Sequence, residues 1–150
     1  MGILHGTIID SVTDQPISAK VHVLSARGSF CKPQDAMLKR GPGTEFFFCD
    51  GEFEVYAQRG RTDVLVERGT EYEPQRLVVD VPAQGAKDVE VHLKRWYQPQ
   101  EQNWYPGNTH IHYDEKELRP DDRLAIDSSV EGYNVTVVSV LDRRQLPYAS

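Results

Sequence analysis

Up to about Arg95, apolar residues recur every second position in short runs broken by turn residues, which is the pattern of half-buried β-strands. Thr7-Ile8-Ile9 closes at Asp10, and Asp14-Gln15-Pro16 predicts a turn. Beyond it Ile17, Ala19, Val21 and Val23 fall on one face, while Ser18, Lys20 and His22 fall on the other. Arg27-Gly28 opens a stretch through Pro33, Gly41, Pro42 and Gly43 that reads as a loop. Glu45-Phe46-Phe47-Phe48-Cys49 and Glu52-Phe53-Glu54-Val55-Tyr56 flank Asp50-Gly51, a dipeptide that tolerates the positive φ angles of a type I′ turn, so a hairpin is expected. Three further strands are expected at Asp63 to Glu67, Gln75 to Val81 and Val89 to Lys94, with Gly69, Pro82 and Gly85 as punctuation. That spacing is the spacing of a sandwich or small barrel.

At Trp96 the pattern changes. Gln98-Pro99-Gln100-Glu101-Gln102-Asn103 is polar and without apolar period, and reads as a linker. Thr109-His110-Ile111-His112 predicts a short strand, and Pro120 opens a helix running to Val130 with Gly132 as its stop. Asp121 and Asp122 near its start suit the positive end of the helix dipole. Val135-Thr136-Val137-Val138-Ser139-Val140-Leu141 is almost continuously apolar and β-branched, as in a parallel-sheet strand covered on both faces. The expected organisation is a mainly β chain: a sandwich over residues 1–97, a linker over 98–103, and a βαβ segment over 104–150.

Charge and composition narrow the function. The formal net charge is -6 with no cluster of Lys and Arg, which argues against nucleic acid as a partner. No apolar run is long enough to cross a bilayer, so a soluble protein is expected, cytoplasmic or exported after removal of a leader. Cys31 and Cys49 do not make a disulfide framework and read as two unpaired small hydrophobes.

The candidate chemistry lies in the second segment. His110 and His112 are two apart on a strand, so both imidazoles share a face and can approach one cation. Asp142 follows the second strand at its carboxyl end, where ligands gather in parallel α/β architectures. Asp114 and Glu115 could add an oxygen ligand or a supporting contact. His5, His22 and His92 have no ligand spacing and read as strand-surface residues.

Two stretches resemble known families. Gly6-Thr7-Ile8-Ile9-Asp10 through Gln15-Pro16-Ile17-Ser18-Ala19-Lys20-Val21 is similar to the carboxypeptidase regulatory-like domains of transthyretin-like, Ig-like sandwich fold, departing at Asp14-Gln15, where those usually carry Gly. Such domains imply packing or binding and no chemistry of their own. Trp104-Tyr105-Pro106-Gly107-Asn108-Thr109-His110-Ile111-His112, with Arg119-Pro120-Asp121-Asp122 and Glu131-Gly132-Tyr133-Asn134-Val135, resembles the start of polymerase-and-histidinol-phosphatase (PHP) type metallohydrolases that carry a sandwich before the catalytic α/β barrel. That resemblance implies a divalent metal, zinc or manganese, on His110 and His112, activating water against a phosphoester or related bond. Asp142 stands where many members have Asp-His, but Arg143 replaces the histidine.

The expectation is therefore the amino-terminal portion of a metal-dependent hydrolase, with an incomplete barrel and no turnover by this polypeptide alone. The strand from Val135 would be left partly uncovered, and would pair with another copy, pack on the sandwich or disorder. The competing expectation is a non-catalytic sandwich that binds carbohydrate or protein through loops such as Gly28 to Thr44, with a C-terminal oligomerisation element. A hydroxyisourate hydrolase lacks its carboxy-terminal Tyr-Arg-Gly-Ser stretch here.

Overall fold

The structure, a computed structural model, describes residues 1–39, 43–113 and 119–140. Strand β1 (Gly2–Asp10) buries every second residue, so that Leu4 and Ile8 enter the core while His5 and Thr7 face away. It lies between an antiparallel β5 (Glu52–Ala57) and a parallel β8 (Ala86–Leu93). The second sheet is built on β2 (Ser18–Leu24), which pairs antiparallel with β6 (Gly60–Glu67), and β6 with β7 (Gln75–Val81). Along the other edge of β2 lie β3 (Phe30–Cys31) and β4 (Phe47–Asp50), taking its end and its start respectively. The two sheets close over one apolar cluster that includes Leu4, Ile8, Val21, Phe47, Val55 and Leu93. The chain is thus a β-sandwich over most of its described length.

Asp50-Gly51 is a corner between sheets rather than a hairpin turn. The strand before it pairs with β2 and the strand after it with β1. Gly51 has the positive φ of 85° that the dipeptide suggested. Its carbonyl, however, accepts the Ile8 N–H at 2.7 Å, and a Cβ there would stand 2.8 Å from the Pro16 side chain. Pairing β5 with β1 puts Phe53 and Val55 into the shared core, which local turn chemistry does not encode.

The stretch read as a loop from Gly28 to Thr44 also carries structure. It contains β3, and Leu38 bridges Phe47, with Met37 and Phe46 carbonyls accepting the Phe48 and Lys39 N–H groups at 2.8 and 2.9 Å. The segment read as a linker holds a 3-10 turn, Pro99–Gln102, whose Pro99 is buried.

After the sandwich come β9 (Gly107–Tyr113), α1 (Pro120–Val130) and β10 (Val135–Val140), with β9 and β10 parallel. Pro120 occupies the first turn of α1, where its missing N–H costs nothing. Gly132, at φ 75°, ends the helix with its N–H on the Ser129 carbonyl at 3.1 Å. The β10 strand reads as a type covered on both faces and was expected to be partly uncovered in this chain; Val135 and Val137 are 55% and 49% exposed. Among the described residues α1 lies on one face of this pair and the other face is open. Cys31 and Cys49 are free thiols. No described helix is long and apolar enough to cross a membrane.

Candidate functional site

The faces of the β9–β10 pair follow from register. Thr136, on the α1 side, donates its hydroxyl to Ser128 Oγ at 3.0 Å, and alternation puts Val138 on that same side. Val138 is opposite Ile111, so Ile111 shares the α1 side and His110 falls on the open face with Val137. Between Asn108 and Ile111, β9 takes one more residue than β10 takes between Thr136 and Val138, so a bulge sits at Thr109-His110. The Asn108 side chain holds it, accepting the His110 N–H at 2.9 Å. Past the bulge, the backbone of residue 112 is in register with residue 139.

His110 is exposed, near the carboxyl half of β9. Asp142, Asp114 and Glu115 lie outside the described residues. Among the described residues no group of three His, Cys, Asp or Glu side chains converges on one point. Two imidazole positions suit a divalent transition metal chemically but make only part of a coordination sphere.

A second polar constellation joins the β9–α1–β10 unit to the sandwich. Lys20, on the outward face of β2, reaches Glu131 at 2.7 Å, and Ser18 Oγ lies 2.8 Å from Ser129 Oγ. Arg123 donates to the Leu38 carbonyl at 2.6 Å and stacks over Phe48 at 5.9 Å. This explains why Phe46-Phe47-Phe48 is buried throughout: Phe47 faces the core, while Phe48 lies under α1. Asp127, on the same helix, has its carboxyl pushed up by burial, with Glu131 adding to the rise and Arg123 and Lys20 opposing it.

Behind this seam, Asp10 ends β1 inside the protein. Its Oδ1 accepts the Val12 and Thr13 N–H groups at 2.8 and 3.1 Å, and its Oδ2 accepts the Tyr72 hydroxyl at 2.6 Å. Arg95 donates to the same Tyr72 oxygen at 2.5 Å. Burial pushes the Asp10 carboxyl up, but these hydrogen bonds and the Arg95 charge outweigh it and hold it below its usual range. Sequence reasoning singled out none of Arg68, Glu71, Tyr72 and Arg95. Arg68, Glu71 and Tyr72 come from the turn between β6 and β7 and Arg95 from just past β8, and no local spacing relates the turn to Arg95.

With two β-sheets closed over one core and a parallel strand-helix-strand unit docked beside them, the chain is a β-rich module. No protein-family model matches it, and no curated protein matches it. Among solved structures it is similar to GBS52, the minor pilin in the gram-positive pathogen Streptococcus agalactiae, at 14% identity and a TM-score of 0.45. That similarity covers 65% of this chain and 46% of the pilin, so the chain spans about half the length of that relative.

Proposed function

We propose that this chain is the amino-terminal portion of a metal-dependent hydrolase acting on a phosphoester or related bond, with a sandwich of carboxypeptidase regulatory-like type ahead of a PHP-like catalytic barrel. The observation that supports this most is the placement of His110 on the face of a parallel strand pair opposite its helix, with His112 two residues on in the same strand. In an α/β barrel the helices cover the outside, and functional groups gather inside and at the carboxyl ends of the strands. On this reading the face that carries Val135 and Val137 is the one an α/β barrel turns inward, and Asp142 follows β10 in sequence.

A bound zinc or manganese ion would supply Lewis acidity to water. The chain's own part is to carry two histidines on one strand, with the backbone at His110 set by the Asn108-braced bulge. Those two groups leave the metal sphere incomplete, so this polypeptide alone is expected to bind metal weakly and not turn over. Calorimetric titration with zinc and with manganese tests this. Binding that disappears in the His110→Ala, His112→Ala double variant supports it, and heat unchanged by that variant contradicts it.

A second reading, a module that binds carbohydrate or protein, draws on exposed aromatic rings. Trp96 and Tyr97 lie 5.6 Å apart, and Trp104 and Tyr105 are also exposed. Saturable binding of a glycan that Trp96→Ala removes, without any metal binding, would favour it.

A further inference from the structure

A cavity of about 400 Å³ opens at the seam between the sandwich and the β9–α1–β10 unit. Arg68, Glu71 and Arg95 stand on its sandwich wall, and Ser129 and Asn134 on the opposite wall. The two guanidiniums are held against one ring, 5.6 and 4.8 Å from the Tyr72 centroid. Each is also anchored through one nitrogen. Arg68 Nη1 donates to the Ser18 carbonyl and hydroxyl at 2.5 and 2.6 Å, and Arg95 Nη2 to the Tyr72 hydroxyl at 2.5 Å.

Among the described residues, Arg68 Nη2 and Arg95 Nη1 then make no hydrogen bond. Glu71 stands 3.8 Å from Arg95 Nε, an ion-pair distance outside hydrogen-bond range. Arg68 Nε, Arg95 Nε and Gln100 Oε1 are buried without a partner, a cost that folded proteins seldom leave uncompensated. Two guanidiniums with donors to spare, lining one polar cavity, are the groups that recognise phosphate and carboxylate.

We propose that this seam cavity binds a small oxyanion, a phosphate or carboxylate group, between the guanidiniums of Arg68 and Arg95. Three charges oppose it, the first being the Asp10 carboxylate, which shares the Tyr72 hydroxyl with Arg95. Glu71 offsets one guanidinium, and the negative end of the α1 dipole faces the cavity, although its Ser128 and Ser129 carbonyls are occupied by the Tyr133 and Gly132 N–H groups at 3.0 and 3.1 Å. The affinity is therefore modest, and the ligand sits on the arginine side. This site shares no residue with His110 or His112 and does not depend on the hydrolase reading.

The test is an NMR titration of the full chain with inorganic phosphate and, separately, with acetate, each replacing chloride at constant ionic strength. Saturable shifts of the Arg68 and Arg95 Nε–H signals are expected with one anion or both, and which anion saturates identifies the group the site takes. Arg68→Gln is expected to weaken binding about tenfold, the scale of one charge-assisted hydrogen bond. Glu71→Gln is expected to tighten it severalfold, a gain that misfolding could not imitate. Shifts that stay linear in concentration with both anions, or binding unchanged in Glu71→Gln, overturn the proposal.

Discussion

Asp10 is a carboxylate held by a hydroxyl and two amide N–H groups at the end of a strand, and its effect on stability has a definite sign with pH. Its folded pKa lies below its ordinary 3.8, so its contribution is present above that value and is lost as the pH falls through the folded pKa. Asp10→Asn is expected to cost about 1–3 kcal/mol in urea unfolding near neutral pH, because buried donors lose a charged acceptor. The difference from the parent should shrink as the pH falls below 3.8 and through the folded pKa. His5 runs the other way. It bridges Asp88 at 3.0 Å and Glu54 at 2.8 Å across β1, and these hydrogen bonds, Asp88 first, raise its pKa above its ordinary 6.5. What this bridge contributes is present below the unfolded value and fades as the pH rises through the folded one. The His5 ring should titrate above 6.5 by NMR, and Asp88→Asn should lower its midpoint. Cys49 is pushed up to about 12 by burial, so it should resist alkylation near neutral pH until the chain unfolds.

Among the elements, the legible ones are those whose inward positions carry branched apolar side chains. Ala19, Val21 and Val23 were assigned to one face and are all buried in β2, and the Pro120 and Gly132 signals bracket α1. The beginning of β1 was not legible because glycine stands at two of its inward positions, Gly2 and Gly6, and the missing side chain at Gly6 is replaced by the Phe53 ring. Asp50-Gly51 gave the right backbone and the wrong partner, since a dipeptide sets φ but not which sheet the next strand joins. The β-branched run of β10 reads as a strand type that is doubly covered, and was expected to be partly uncovered in this chain; among the described residues Val135 and Val137 are exposed. The Thr109-His110 bulge has no signal beyond an Asn two residues ahead. The seam depends on one backbone contact: Gly69, at φ 46°, has no room for a Cβ, which would lie 2.7 Å from the Glu131 carbonyl oxygen. Gly69→Ala is expected to cost about 1–3 kcal/mol, from positive φ and overpacking together. Hydrogen exchange should quicken in α1 more than in β1.

At the scale of the whole molecule, the sandwich is self-sufficient in apolar core, whereas the β9–α1–β10 unit relies on the seam for its covered face and leaves the other face open. His110 stands on the face of the strand pair opposite α1, away from the seam, so the proposed metal and anion sites are separable. The most direct measurement is a manganese titration monitored by the ring signals of all five histidines. The account predicts that substoichiometric Mn²⁺ broadens His110 and His112 before His5, His22 and His92. Broadening that begins at His5, between its two carboxylates, or that reaches all five together, would contradict it.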